Sequence, residues 1–255
     1  MLGWKIFAHS VRMVFGNLKQ ALQITVGPAL IASALIVGLF ITLGIPLGAF
    51  DGSSSASSEG FPTVAFLVFL FVVMIVMIVV AFWVAVSWHR FILLEEYPSG
   101  IVPTFRFDRI LAYLGRAMLL GLVLLAGYVP LAVIMMGLAQ SLGAALILIV
   151  IPYVVFLMIC FYRLAIILPS AAIGNPITLS EAWNNTAGTA GVIIVLVISV
   201  VVFQFAVQLV VTLLTFIPVL GAFLSLFFGV LVLPLINVSI LTTMYGVFVE
   251  KRELT

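Results

Sequence analysis

Six stretches of this chain stay apolar for longer than a soluble helix requires, and short polar segments divide them. The runs cover approximately residues 22–48, 63–88, 117–139, 142–163, 190–217 and 222–249. A helix needs roughly 20 apolar residues to cross a hydrocarbon core about 30 Å thick, so each run predicts a spanning helix. Several exceed that length, which predicts tilt or extension past the bilayer. Residues 140–143 alone part the third run from the fourth, and residues 218–221 the fifth from the sixth. Links this short make neighbours antiparallel. The pattern therefore predicts an all-α integral membrane protein, six spans arranged as three hairpins. It forms a single domain, with units at 1–100, 101–173 and 174–255. Pro152 predicts a bend in the fourth span, and residues 51–60, rich in serine and glycine, read as a polar link of low complexity.

Ahead of each hairpin the periodicity changes. Trp4, Phe7, Val11, Val14 and Leu18 recur on one helical face, while Lys5, His9, Arg12 and Lys19 occupy the other. A basic face opposite an aromatic-rich one describes a helix lying in the headgroup layer. The second such segment sets Phe107, Ile110, Leu111 and Leu114 against Arg106, Arg109, Tyr113 and Arg116. The third opens on a capping box, Thr178-Leu179-Ser180-Glu181, with Leu179, Ala182 and Trp183 as its apolar side.

Composition turns the pattern into a class. Hydrophobic residues make up 65% of the chain and charged residues 7%, against about 25% charged in a soluble domain, so the solvent for most of this surface is lipid. The placement of charge then sets orientation. All ten Lys and Arg residues, from Lys5 to Arg252, fall on one side of the predicted spans. The positive-inside rule makes that side cytoplasmic, with both termini on it. The start, Met1-Leu2-Gly3-Trp4-Lys5, lacks the basic–apolar–small order of a signal peptide. Lys5, Arg12, Lys19, Arg106, Arg109 and Arg116 are candidates for contact with anionic lipid, at roughly 1 kcal/mol each near a charged surface; the same residues set topology.

A shift of about 73 residues superposes Arg90 on Arg163, Pro103 on Pro176, Asp108 on Glu181, Gly115 on Gly188 and Ala117 on Ala190. Apolar coincidences are cheap here, charged and proline ones are not, so the chain reads as an internal repeat. It further predicts that Arg90 folds back onto Asp108 and Arg163 onto Glu181, a guanidinium fork holding a carboxylate in each half.

Candidates for chemistry are few. Cys160 lies alone in an apolar run, and His9 and His89 lack a second ligand at helical spacing. His89, beside Trp88 and Arg90, reads as an interfacial residue, and Glu95 and Glu96 as a solvated loop before Tyr97-Pro98. No nucleophile elbow, phosphate-cradling glycine loop or paired-acid arrangement appears, so no catalytic, cofactor or metal residue is assigned. Gln204 and Gln208 share a face of the fifth span and Asn237 lies within the sixth, which predicts hydrogen bonding between helices. No acid or base sits deep in a span, which argues against an ion-coupled pump.

The segment Arg163-Leu164-Ala165-Ile166-Ile167-Leu168-Pro169, running on to Glu181-Ala182-Trp183-Asn184-Asn185-Thr186, resembles a recurring feature of bacterial multi-pass families. In these a span ends in arginine and is followed by proline and a polar stretch containing Ala-Trp. It is similar to the membrane domains attached to some glycerophosphodiester phosphodiesterases and to related stand-alone proteins of unknown function. The resemblance covers about 25 residues. It implies a bacterial cytoplasmic membrane and carries over no catalytic residue, because the soluble phosphodiesterase domain has no counterpart here. The expected function is a non-enzymatic accessory or scaffold protein associated with lipid or a membrane complex, not with nucleic acid. One alternative is a transporter or channel whose cavity Gln204, Gln208 and Asn237 line. The other is a lipid-processing enzyme built on His89, Glu95, Glu181 and Asn184.

Overall fold

A computed structural model describes residues 1–45, 63–98, 100–214, 217 and 220–254. The polar link at 51–60 and part of the 218–221 link lie outside the described residues. The described elements are α-helical: α1 (Leu2–Gly16), α2 (Leu18–Thr42), α3 (Thr63–Leu94), α4 (Phe107–Leu142), α5 (Ile147–Ala165), α6 (Ile167–Ile173), α7 (Leu179–Asn185), α8 (Ala190–Leu214), α9 (Leu220–Leu226) and α10 (Leu233–Phe248). A 3-10 turn at Gly143–Leu146 joins α4 to α5, and a π-helical stretch at Phe227–Val232 joins α9 to α10.

Six of these stretches are long and apolar enough to cross a membrane: Leu18–Thr42, Val64–Leu94, Phe107–Leu138, Ile147–Ile173, Ala190–Leu214 and Phe223–Phe248. The expected six candidate spans are present, with several boundaries shifted. The segment carrying Arg106, Arg109 and Arg116 is not a separate helix, because α4 runs without a break from Phe107. Charge limits how deep a helix inserts but does not interrupt its hydrogen bonding, and arginine is a good helix former. Its buried side is Ile110, Tyr113 and Leu120, with Leu111 and Phe107 exposed, so Tyr113 belongs to the opposite face from the one expected. The fourth span likewise continues past Arg163. A kink at Ile166 (φ −64°, ψ −10°) leads into α6, and Pro169 falls in the first turn of α6, where a missing N–H costs little.

The seven residues of α6 are all buried, packed among α3, α4 and α10. The helix stops at Gly174, whose φ of +91° few side chains tolerate. Gly174 N–H donates to Ala171 C=O and Asn175 N–H to Ser170 C=O, the paired bonds of a Schellman turn. The Arg109 guanidinium rests against Gly174, with Nη1 2.7 Å from where a Cβ would sit. Gly174→Ala is therefore expected to destabilise the protein by about 1–2 kcal/mol from the left-handed backbone, plus the displacement of Arg109. Gly115→Ala, in open space on α4, is expected to stabilise by about 0.5–1 kcal/mol. Unfolding of the two variants in mixed micelles with rising SDS checks this contrast.

The helix α1 lies across α8 and α10. Its buried face is Gly3, Ile6, Phe7, Ser10 and Val14, rotated from the predicted stripe, for Trp4 is 55% exposed and Leu18 already belongs to α2. Small residues decide the rotation. Gly3 meets the backbone of Val192 and Leu196 so closely that a Cβ would overlap the Val192 carbonyl. Ser10 Oγ lies 2.9 Å from Thr243 Oγ1, and the Phe7 and Phe203 rings meet edge to face at 5.5 Å. Without a hydrophobic force between helices in lipid, such close approach is what drives association.

The core gathers at one end of the bundle. Its members include Trp83 to Leu93 of α3, Ile110 and Tyr113 of α4, Leu164 to Ile173, Ile193 and Leu196 of α8, and Leu235 to Phe248 of α10. Farther along the same helices, side chains such as Leu35, Phe71, Leu122, Ile151 and Phe205 are exposed. The basic residues sit at the packed end.

Candidate functional site

The last turn of α3 builds the site. After Leu94 the chain reverses through Glu95, a non-glycine residue with φ +55°, and the turn closes with Glu96 N–H on Arg90 C=O at 3.4 Å. This reversal folds the Glu96 carboxylate over Arg90. Glu96 Oε2 accepts from Arg90 Nε at 2.8 Å and Nη2 at 2.6 Å, while Oε1 accepts from Arg106 Nε at 3.0 Å and Nη2 at 2.6 Å. One carboxylate thus holds two guanidinium forks. Burial pushes the Glu96 carboxyl up, but the hydrogen bonds from Arg106 and Arg90, and their charges, outweigh burial and hold it below the usual carboxylate range. Arg90 reaches further, donating Nη1–H to Ala172 C=O in the last turn of α6 at 3.2 Å. Beside the cluster lies a cavity of about 20 Å³ lined by Ser87, Arg90, Glu96, Tyr97, Thr104 and Arg106, room for about one water molecule. The incoming segment is pressed down on α2 and α3, for the Ile101 carbonyl touches Gly27 of α2 and the Phe105 ring meets Trp83 of α3 at 4.9 Å.

The expected pairs Arg90–Asp108 and Arg163–Glu181 are not formed, because each residue finds a nearer partner. Asp108 pairs with its neighbour Arg109 at 3.0 Å. Glu181 completes the capping box of α7, accepting from Thr178 N–H at 2.7 Å while Thr178 Oγ1 accepts from Glu181 N–H at 3.2 Å. The Thr178 N–H, and the Thr178 hydroxyl donating to the same carboxylate at 2.9 Å, hold the Glu181 carboxyl below its ordinary range. Arg163 donates to Trp183 C=O at 2.6 Å and Thr186 Oγ1 at 3.1 Å, and its guanidinium stacks 3.4 Å above the Trp183 ring. The proline and charge matches at 73 residues are thus met by different local structures. Gly115 lies inside continuous α4, whereas Gly188 (φ +73°) lies between α7 and α8.

Basic side chains also close helix ends. Arg252 Nη2 donates to Leu93 C=O at 3.0 Å and Lys251 Nζ to Phe248 C=O at 2.7 Å. Cations on the last carbonyls of a helix complement its dipole. Lys5, Arg12 and Lys19 stay exposed, Arg116 is half-buried, and Arg106 and Arg109 keep 41% and 38% of their side chains exposed, so these two have surface left for a ligand.

Behind the cluster runs a buried polar seam that sequence reasoning missed. His89, expected at the interface, is fully buried. Its Nδ1 lies 2.8 Å from Thr242 Oγ1. The Thr242 hydroxyl gives its proton to Val238 C=O, so it accepts from Nδ1–H. Trp88 Nε1 donates to Ser239 Oγ at 2.7 Å. The signal was present as Ser239, Thr242 and Thr243, which share one face of α10 at helical spacing. Asn237 projects from the opposite face and is exposed. Gln208 is also exposed and donates to Thr212 Oγ1 at 3.4 Å, and Gln204 is half-buried. None of the three lines the cavity above.

The residues named for an enzyme do not converge. His89 is enclosed while Glu95, Glu181 and Asn184 are exposed. Among the described residues no three His, Cys, Asp or Glu side chains group as metal ligands. Comparison with protein-family models, curated proteins and solved structures finds no match.

Proposed function

We propose that this chain is a non-enzymatic scaffold of a bacterial cytoplasmic membrane, its basic end and both termini cytoplasmic, which holds anionic lipid or a partner complex at that end. One observation carries the reading: packed core, helix-end arginines and exposed lysines all collect at one end of an otherwise lipid-exposed bundle. The exposed charges of α1 and its contacts near the start of α8 and the end of α10 support an interfacial position for that helix. Likeness to the phosphodiesterase membrane domains accords with it, and the 73-residue correspondence reads as a repeat of hairpin units that have diverged between Arg163 and Ala190.

Lipid retained through purification in mild detergent tests the proposal. Mass spectrometry is expected to find anionic lipid enriched over the source membrane, and combined replacement of Lys5, Arg12 and Lys19 by glutamine should weaken that enrichment, at roughly 1 kcal/mol per charge. A retained lipid composition equal to that of the membrane would sink it.

A further inference from the structure

We infer that the seam between α2 and α3 is a binding site for a single phosphate-headed lipid. One oxygen of its phosphate enters the cavity at Arg106, Ser87 and Thr104, and its tail lies in an apolar groove farther along the same two helices. The inference deepens the proposed association with anionic lipid and rests on it.

The headgroup end is a built site. Glu96 takes Nε–H and one Nη2–H of Arg106, leaving Nη1 and the second Nη2 proton of a guanidinium that is 41% exposed. Two arginines on one carboxylate leave a net positive charge. Ser87, Thr104 and Tyr97 line the same cavity. Cationic forks and hydroxyls around a small opening at a span's end suit a phosphate oxygen, because arginine matches phosphate with paired hydrogen bonds.

The second observation is independent. A groove of about 380 Å³ lies between α2 and α3, lined by Leu35, Gly38 and Thr42 on one side and Val72, Val73 and Val76 on the other. The helices are antiparallel neighbours, so the cavity that pairs Ile24 with Val86 and Ser87 and the groove that pairs Thr42 with Val72 follow one register. From Ile24 to Leu35, and from Ser87 back to Val76, is about three helical turns, so the residues of cavity and groove fall on the same face of each helix. Those turns rise about 16 Å, close to half of a hydrocarbon core about 30 Å thick. A lipid whose phosphate sits at Arg106 therefore brings its tail to the groove at the membrane midplane. Gly38 makes the groove wall shallow, with no atom within 4 Å of where its Cβ would stand.

The test is native mass spectrometry of the full chain titrated with phosphatidylglycerol, with diacylglycerol as a lipid lacking phosphate, and with inorganic phosphate as competitor. One phosphatidylglycerol per chain is expected to bind ahead of the others, and diacylglycerol not to. Arg106→Gln should weaken it about tenfold, the worth of a charge-assisted hydrogen bond. Gly38→Phe, which fills open space, should weaken it comparably, and millimolar phosphate should leave it in place. Should Arg106→Gln not purify as a single species, Ser87→Ala with Thr104→Val replaces it, with the same direction expected. Unchanged affinity in the headgroup variants or in Gly38→Phe overturns the inference, as does full displacement by phosphate. Enrichment of anionic lipid that depends only on Lys5, Arg12 and Lys19 would also overturn it while sparing the broader reading. The absence of any anionic-lipid preference ends both.

Discussion

Replacing Glu96 by alanine is expected to lower stability by about 2–3 kcal/mol, toward the lower end for a broken buried ion pair because the carboxylate is partly exposed. The loss comes from what remains. Arg90, with 13% of its side chain exposed, keeps its charge and loses two of its hydrogen bonds, and the tie from α3 to the loop before α4 goes with them. Glu95→Gln, one residue away and exposed, should change stability by no more than about 0.5 kcal/mol. The contribution has a defined pH dependence. Glu96 is held below its ordinary value of 4.5, so its stabilising effect is fully present above that pH. The effect fades as pH falls through the depressed folded value, where protonation releases both arginines. Unfolding in SDS between pH 7 and pH 3 should therefore show stability falling in the parent chain and a shallower fall in Glu96→Ala. Equal slopes would mean that the carboxylate does no more than occupy space.

Gly3→Leu should have the larger structural consequence. The obstacle to its side chain is the backbone of Val192 and Leu196, which cannot swing aside as a side chain can. Overpacking of a yielding core costs about 1–3 kcal/mol; here α1 is expected to leave α8 altogether, breaking the Ser10–Thr243 contact and exposing Ile6. Trypsin reports the change directly, because Lys5 and Arg12 lie on α1. Cleavage should accelerate strongly in Gly3→Leu and stay slow in Gly16→Leu, whose Cβ meets nothing within 4 Å. Similar rates in the two variants would contradict the docking of α1.

These two sites mark where the sequence was readable and where it was not. The spans were legible because a run of apolar residues has one physical meaning at that length, and the capping box of α7 because it is a local contract among four residues. The face of α1 was misread because Gly3 and Ser10 pack by being small, which no hydrophobic stripe records. Arg90 and Glu96 are six positions apart, yet their pairing depends on the left-handed turn at Glu95, which nothing at that position announces. The His89–Thr242 and Trp88–Ser239 bonds join residues about 150 positions apart, and two short hydroxyls on α10 gave the only hint. Asn237 misled for the converse reason, since a long polar side chain in a span draws attention whichever way it faces.

The central claim, an even number of crossings with every basic residue on the cytoplasmic side, rests on six apolar helices and on charge placement. Reporter fusions at residue 55 and at the C-terminus test it most directly, using a phosphatase active only outside the cytoplasm and a fluorescent protein that matures only within it. The account predicts phosphatase activity alone at residue 55 and fluorescence alone at the C-terminus. Both positions reporting the same side of the membrane would contradict it.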